Sequence, residues 1–414
     1  MFAKLYLATV CCVAVVELFR PLYGMFFLII LFMTRPGSVF FPEYNDYHLP
    51  LVLAGILFLS VIFRGLRVRQ KGIVVLECLF LLFAFFSCIF CGHVDEVKWL
   101  GVFYPFLKAF VFITILIGFI HERKSAMQVI KICVLGGVLN GFYAICQQVF
   151  PSSETLALIG PYGLLRASGF YGDPNDTAAL LVAIVPLAYY FFLHGENRLT
   201  KRLYVIAICL LVGGIFSTIS RGGLVGLCFV GMCIFMKDIK KISTVFVFAL
   251  VFLGFFYFAK DLYEKRETVR TGPSGQTTID TSGRLDAYRD ALVLWIHNPF
   301  LGVGPRRFAD ARIEIVGGRR RIVAHNTFLQ VLAEHGLLGF CCFMGFILIA
   351  FKSLARLRRG ALFYREAARY VQIGLMGYLF CALFISIQRS FLVWIILMLP
   401  IVLENVYASE QAET

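Results

Sequence analysis

VAHNTFLQVLAEHGLLGFCCFMGFILIAF, residues 323–351, changes character at Gly336. From there to Phe351 the chain is apolar throughout, so a helix built from it has no face to offer water. The first half instead carries His325, Asn326, Glu334 and His335. Such residues on the approach to a bilayer either wet a helix end or wall a reaction site, and the rest of the chain decides which.

Comparable apolar runs recur along all 414 residues, and the chain is 60% hydrophobic with only 15% charged residues. Soluble chains average about a quarter charged, so this composition excludes a soluble globular protein. Each run approaches the roughly 17 to 25 residues that cross a bilayer as a helix. The expected spans are 5–33, 48–64, 73–91, 99–120, 126–150, 176–193, 203–219, 222–236, 242–259, 336–352, 368–386 and 389–404. The fold class is therefore an all-α integral membrane protein with about twelve transmembrane helices. Glu17, Arg20 and Pro21 interrupt the first run, which fits either a kinked span or a short hairpin. No fixed-period repeat and no cleavable signal pattern is visible.

The net charge of +14 does not point to nucleic acid, because the basic residues sit in short clusters between apolar runs. Arg64 to Lys71, Arg123 with Lys124, Arg198 to Arg202, Lys237 to Lys241, and Lys352 to Arg369 all fall on one side when the spans are counted through. The positive-inside rule makes that side cytoplasmic, with both termini there. Most of the thirteen cysteines fall inside apolar runs and read as small packing residues. Cys88 and Cys91 form a lone C-x-x-C, a weak redox or metal signal with no second pair.

The chain divides into N-terminal spans (1–125), central spans (126–260), one long non-cytoplasmic segment (261–335) and C-terminal spans with a tail (336–414). The long segment is rich in arginine, which long translocated loops tolerate. Three stretches of the non-cytoplasmic side stand out. FSTISRGGLVG, 216–226, joins two apolar runs almost without a loop and puts Arg221 at the membrane edge, with glycines behind it for close approach to a ligand or helix. TSGRLDAYRDALVLWIHNPFLGVGPRRF, 281–308, reads as an amphipathic surface helix capped by Ser282, with Leu285, Leu292 and Ile296 on one face toward membrane lipid. Arg284 lies in its first turn, where a helix favours anions, and the following glycine turn presents Arg306 and Arg307. In the opening stretch, helical spacing puts His325 on a face with Leu329 and Leu332.

SRGG, GRLDAYRDALVLWIHNPFLGVGPRRF and AHNTFLQVLAEHGLLG, in that order and spacing, resemble the signature of the bacterial O-antigen ligase and polymerase superfamily. The upstream GFYAICQQVF and GFYGDPNDTAALL fit the same pattern, and FRPLYG and TRPGSVFFPEYNDYHLP are similar to exopolysaccharide-associated members. The resemblance spans about residues 130–345 and implies a glycosyltransferase of the bacterial inner membrane with its site facing the periplasm. It implies transfer from an undecaprenyl-diphosphate-linked glycan to an acceptor hydroxyl, such as that of a lipid A–core sugar, with no cofactor, nucleotide sugar or metal.

The residues reach a compatible place. Breaking a sugar–diphosphate bond requires stabilising charge on the leaving diphosphate, which fixed arginines in a water-poor setting supply. Arg221, Arg284 and Arg306 are the expected diphosphate ligands, with Arg166, Arg289 and Asn326 secondary. His325 is the expected base, kept neutral by Arg221 and Arg284. Glu43, Asp46, Asp173 and Asp176 are rival carboxylates, and the chain lacks a D-x-D motif for a metal-bridged diphosphate. Two other functions compete: a polymerase that lengthens the glycan, and a transporter of lipid-linked sugars. The last predicts ionisable residues spread through the membrane depth and an inverted repeat, whereas the sequence gathers them on one side.

Overall fold

The computed structural model describes residues 2–35, 49–65, 70–90, 99–152, 165–236, 282–318, 321–388 and 390–413, among which every regular element is a helix. The first run is two helices, α1 (Phe2–Phe19) and α2 (Pro21–Thr34), not one span. Pro21 has no N–H and its ring excludes helical backbone at the residue before it, so Arg20 adopts φ −138° and ψ 70°. Both helices pack against each other and against α3 (Leu49–Phe63). Ser60 Oγ donates to the Glu17 carbonyl at 2.9 Å, and Arg64 donates to those of Leu18 and Phe19.

The bundle continues through α4 (Lys71–Phe90), α5 (Trp99–Phe119), α6 (Arg123–Val149), α7 (Pro174–Leu193), α8 (Arg198–Ser217) and α9 (Arg221–Phe235). Two shorter helices, α10 (Ser282–His297) and α11 (Phe308–Val316), precede α12 (Thr327–Leu357), α13 (Leu362–Ala382) and α14 (Phe391–Glu413). Six of these, α4, α6, α7, α8, α12 and α14, are long and apolar enough to cross a membrane. The chain is therefore a membrane protein. Helices cover the expected spans, two of them over the first, except 242–259, which lies outside the described residues.

α7 and α14 run through the interior, with 78% and 89% of their apolar windows buried. α6, α8, α9 and α13 surround α7, and small residues let the backbones meet: a Cβ on Gly214 would lie 2.6 Å from Gly141 Cα. Around α14, Trp394 is edge-on to Phe110 and Phe346 at 4.9 and 5.2 Å. His335 is fully buried in the same cluster, 4.8 Å from the Phe80 ring, and is not an interfacial residue. At one end of the bundle Glu404 accepts from Ser353, Arg356 and Gln70, tying α14 to α12 and to the start of α4.

α12 is broken at Gly336, the residue where the apolar run begins, with φ 61° and ψ −167°. The segment after α10 fills the break. Val303 N and Gly304 N donate to the carbonyls of Ala333 and Glu334 at 2.9 and 3.0 Å, while Leu337 N and Leu338 N donate to Pro299 and Phe300. Backbone groups that a kink would leave bare are thereby satisfied. The two segments approach so closely that a Cβ on Gly336 would lie 2.4 Å from the Phe300 carbonyl.

Candidate functional site

At the end of the bundle opposite Glu404, three stretches distant in sequence converge. The first is the turn between α8 and α9. Ile219 holds φ 51°, an uncommon state for a β-branched residue, and Ser220 caps α9 by accepting from Gly223 N at 3.3 Å. This leaves Arg221 exposed as the first residue of α9, where a helix start favours anions. Behind it, a Cβ on Gly223 would lie 2.4 Å from that of Ala178 on α7, so this glycine lets the two helices pack closely.

The second stretch is Arg166–Asp176. Gln147 of α6 accepts from Ser168 N and Gly169 N at 3.1 and 2.8 Å, which joins the two upstream motifs. Asp173 caps α7, accepting from Asn175 N at 2.7 Å. Asn175 Oδ1 then receives both Ser220 Oγ at 2.8 Å and Arg166 Nη2 at 3.0 Å, and Arg166 Nε reaches the Thr218 carbonyl at 3.3 Å. Arg166, a secondary candidate by sequence, is thus half-buried between the DPND and SRGG turns.

The third comprises α10 and the start of α12. α10 docks through Ala287, Asp290, Ala291 and Leu294, with Asp290 paired to Arg312 of α11, and leaves Leu285, Leu292 and Ile296 exposed as its amphipathic pattern predicts. Arg284 is exposed in its first turn. One turn on, Tyr288 donates its hydroxyl toward the carbonyls of His325 and Leu383, at 3.4 and 3.3 Å. His325 is not on a helical face with Leu329 and Leu332. It precedes the helix with φ 51°, because Asn326 is the N-cap and spends its side-chain oxygen on Leu329 N at 3.1 Å.

Charges link the three. Burial foremost, then Arg284, lowers the proton affinity of the half-buried His325, and Asp173 opposes them. Burial likewise acts on Arg166, with Asp173 opposing and Arg284 and Arg221 reinforcing. Arg166, Arg221, Arg284, Asp173 and His325 therefore share one electrostatic neighbourhood. Arg221 joins it through Arg166 and is not among the charges on His325, so the expected pair of cations holding the histidine neutral reduces to burial and Arg284. Arg306, with φ 70°, and Arg289 are both exposed and act on neither His325 nor Arg166. Arg307 pairs with Glu314 and Arg321 with Asp310, while Arg319, Arg320, Glu43 and Asp46 lie outside the described residues. Among the described residues no three His, Cys, Asp or Glu side chains gather as a metal centre.

Sequence reasoning did not name Tyr288. Its spacing of four from Arg284 is the available signal, since that interval returns to the same helix face.

Arg166, Arg221, Arg284 and the half-buried His325 thus lie together at one end of a bundle of apolar helices. The O-antigen ligase family model matches residues 206–344, from within α8 through the break in α12, so that part of the chain is similar to this family. The matched stretch contains Arg221, Arg284 and His325, while Arg166 and Asp173 lie ahead of it. No curated protein matches the chain. The family implies a glycosyltransferase-like ligase acting on lipid-linked glycans.

Proposed function

We propose that the protein transfers a glycan from undecaprenyl diphosphate to an acceptor hydroxyl, such as that of a lipid A–core sugar, at the periplasmic face of the bacterial inner membrane and without metal. The observation that carries this reading is the convergence of Arg166, bonded into the turn that carries Arg221, with the helix that carries Arg284 and reaches His325 through Tyr288. The acceptor oxygen bonds to the anomeric carbon as the bond from that carbon to the diphosphate oxygen breaks. The acceptor proton passes to a ring nitrogen of His325, and the leaving diphosphate keeps the electron pair as charge that the arginines stabilise.

The reaction is tested by incubating purified protein with an undecaprenyl-diphosphate glycan in excess chelator, with and without core lipid. Product only with core lipid is the expected result. Glycan lengthening without it identifies a polymerase, and activity restored by Mg²⁺ overturns the metal-free step.

Orientation is tested with single cysteines in a cysteine-free variant, at the exposed positions Arg321 and Arg359. Impermeant thiol reagent applied to spheroplasts is expected to label Arg321→Cys and spare Arg359→Cys, as the basic clusters dictate. The reverse pattern inverts the site to the cytoplasm.

A neutral base loses activity at low pH as it protonates, so the pH at which the rate falls reports His325. Arg284→Gln removes a charge that disfavours protonation, and the fall moves to higher pH. Asp173→Asn removes one that favours it, and the fall moves to lower pH; asparagine still caps α7. Shifts in the same direction, or none, in rate–pH profiles of the two variants dissociate His325 from these charges.

A further inference from the structure

We infer that Gln330 and Glu334 are positioning residues for His325, a role that rests on the proposal above that His325 accepts the acceptor's proton. The two side chains lie one turn apart on the first part of α12, 2% and 1% exposed. Gln330 Nε2 donates to Glu334 Oε1 at 2.9 Å, and Gln330 Oε1 accepts from the main-chain N–H of Ala324 at 3.2 Å. Ala324 is the residue before His325 and is itself fully buried. The amide thus anchors the chain immediately ahead of the histidine's left-handed backbone, which costs energy and persists only where its surroundings fix it.

Glu334 holds the other side of the network. Its carboxylate also accepts from Phe308 N at the start of α11 and from Gln388 Nε2 between α13 and α14, each at 3.4 Å. Its carbonyl, freed by the break at Gly336, accepts from Gly304 N. One buried acid therefore fixes the segment that follows α10, and through Gln330 the segment that carries His325. A carboxylate is suited to this because it accepts several bonds at once without donating any. Losing one bond loosens both walls of the site, and a misplacement of about 1 Å costs on the order of 10²-fold in rate.

The test uses the full-length protein in detergent or nanodiscs, with kcat and donor KM measured well below each variant's melting temperature. Gln330→Met, of similar size but without hydrogen bonds, is expected to lower kcat by roughly 10- to 10²-fold and to leave donor KM within about twofold. Gln330→Glu sets two carboxylates against each other and loses at least as much. The exchange Gln330→Glu with Glu334→Gln restores part of kcat over Gln330→Glu, because the acid at 330 still accepts from Ala324 N and the amide at 334 donates to it, while the bond from Phe308 N to the same Glu334 oxygen is lost. Wild-type kcat in Gln330→Met while His325→Ala is impaired overturns the inference and leaves the reading of His325 standing. A wild-type rate in His325→Ala overturns that reading, and the inference with it. Should Gln330→Met not fold, Gln330→Leu decides: folded with lowered kcat supports the role, folded with wild-type kcat overturns it.

Discussion

Replacing His325 by alanine is expected to slow the chemical step by about 10²- to 10⁴-fold while donor binding changes little, the range for loss of a general base. Burial foremost, then Arg284, disfavours the protonated ring, with Asp173 opposing, and the net direction favours the form of His325 that accepts a proton. Its left-handed backbone adds a complication, because alanine tolerates φ 51° poorly. Asparagine visits that region more readily, so His325→Asn separates loss of the base from strain: it is expected to fold with wild-type stability and to be as slow as His325→Ala. The fall in rate at low pH should vanish in both. His335→Ala is the contrasting variant. That ring fills space between Phe80 and Phe106, so its loss opens a cavity and lowers the yield of folded protein, but the pH dependence per folded molecule should persist. Single-turnover rates against pH make the comparison, and a normal rate in His325→Asn moves the base to a carboxylate such as Asp173.

Much of this site is legible in the sequence because it is built from local features. SRGG places Arg221 at a helix start through Ser220, an ordinary N-cap, and the amphipathic pattern of 281–308 separates the docked face of α10 from the exposed one. Asn326 is also a favourable cap, so His325 was readable as lying outside the helix, and assigning it a helical face overlooked that signal. Other features depend on contacts between residues far apart. The break at Gly336 is held by main-chain bonds to 299–304, and glycine in a helical pattern does not by itself announce a kink. Arg166 becomes central only because Asn175 and Thr218 receive it. The expectation that ionisable residues gather on one side also needs narrowing. Glu77 is buried within α4, accepting from Thr114 at 2.7 Å, and Glu17 is buried against Gly24, so polar groups at depth serve helix packing as well.

The second large effect is expected at the arginines. Arg284→Ala should lower the transfer rate by about 10²- to 10³-fold, the range for removing one fixed donor from developing negative charge. Arg221→Lys keeps the charge but loses the planar fork that grips two oxygens at once, so it should still be impaired, by a smaller factor. Arg166 is held by Asn175 and Thr218 and has less freedom to adapt, and Arg166→Lys should lose those bonds along with the fork. Arg306→Ala should cost less than any of these, because Arg306 acts on neither His325 nor Arg166. Arg321→Ala should cost least, since that residue is spent on an exposed pair with Asp310. The measurement is transfer rate against donor concentration at matched protein level. Loss concentrated in kcat places the arginines on the charge that develops as the bond breaks, whereas loss in KM alone places them on the ground-state diphosphate. Unchanged kinetics in both Arg284→Ala and Arg221→Lys would leave these cations as ligands of bilayer headgroups and remove the electrostatic basis of the transfer.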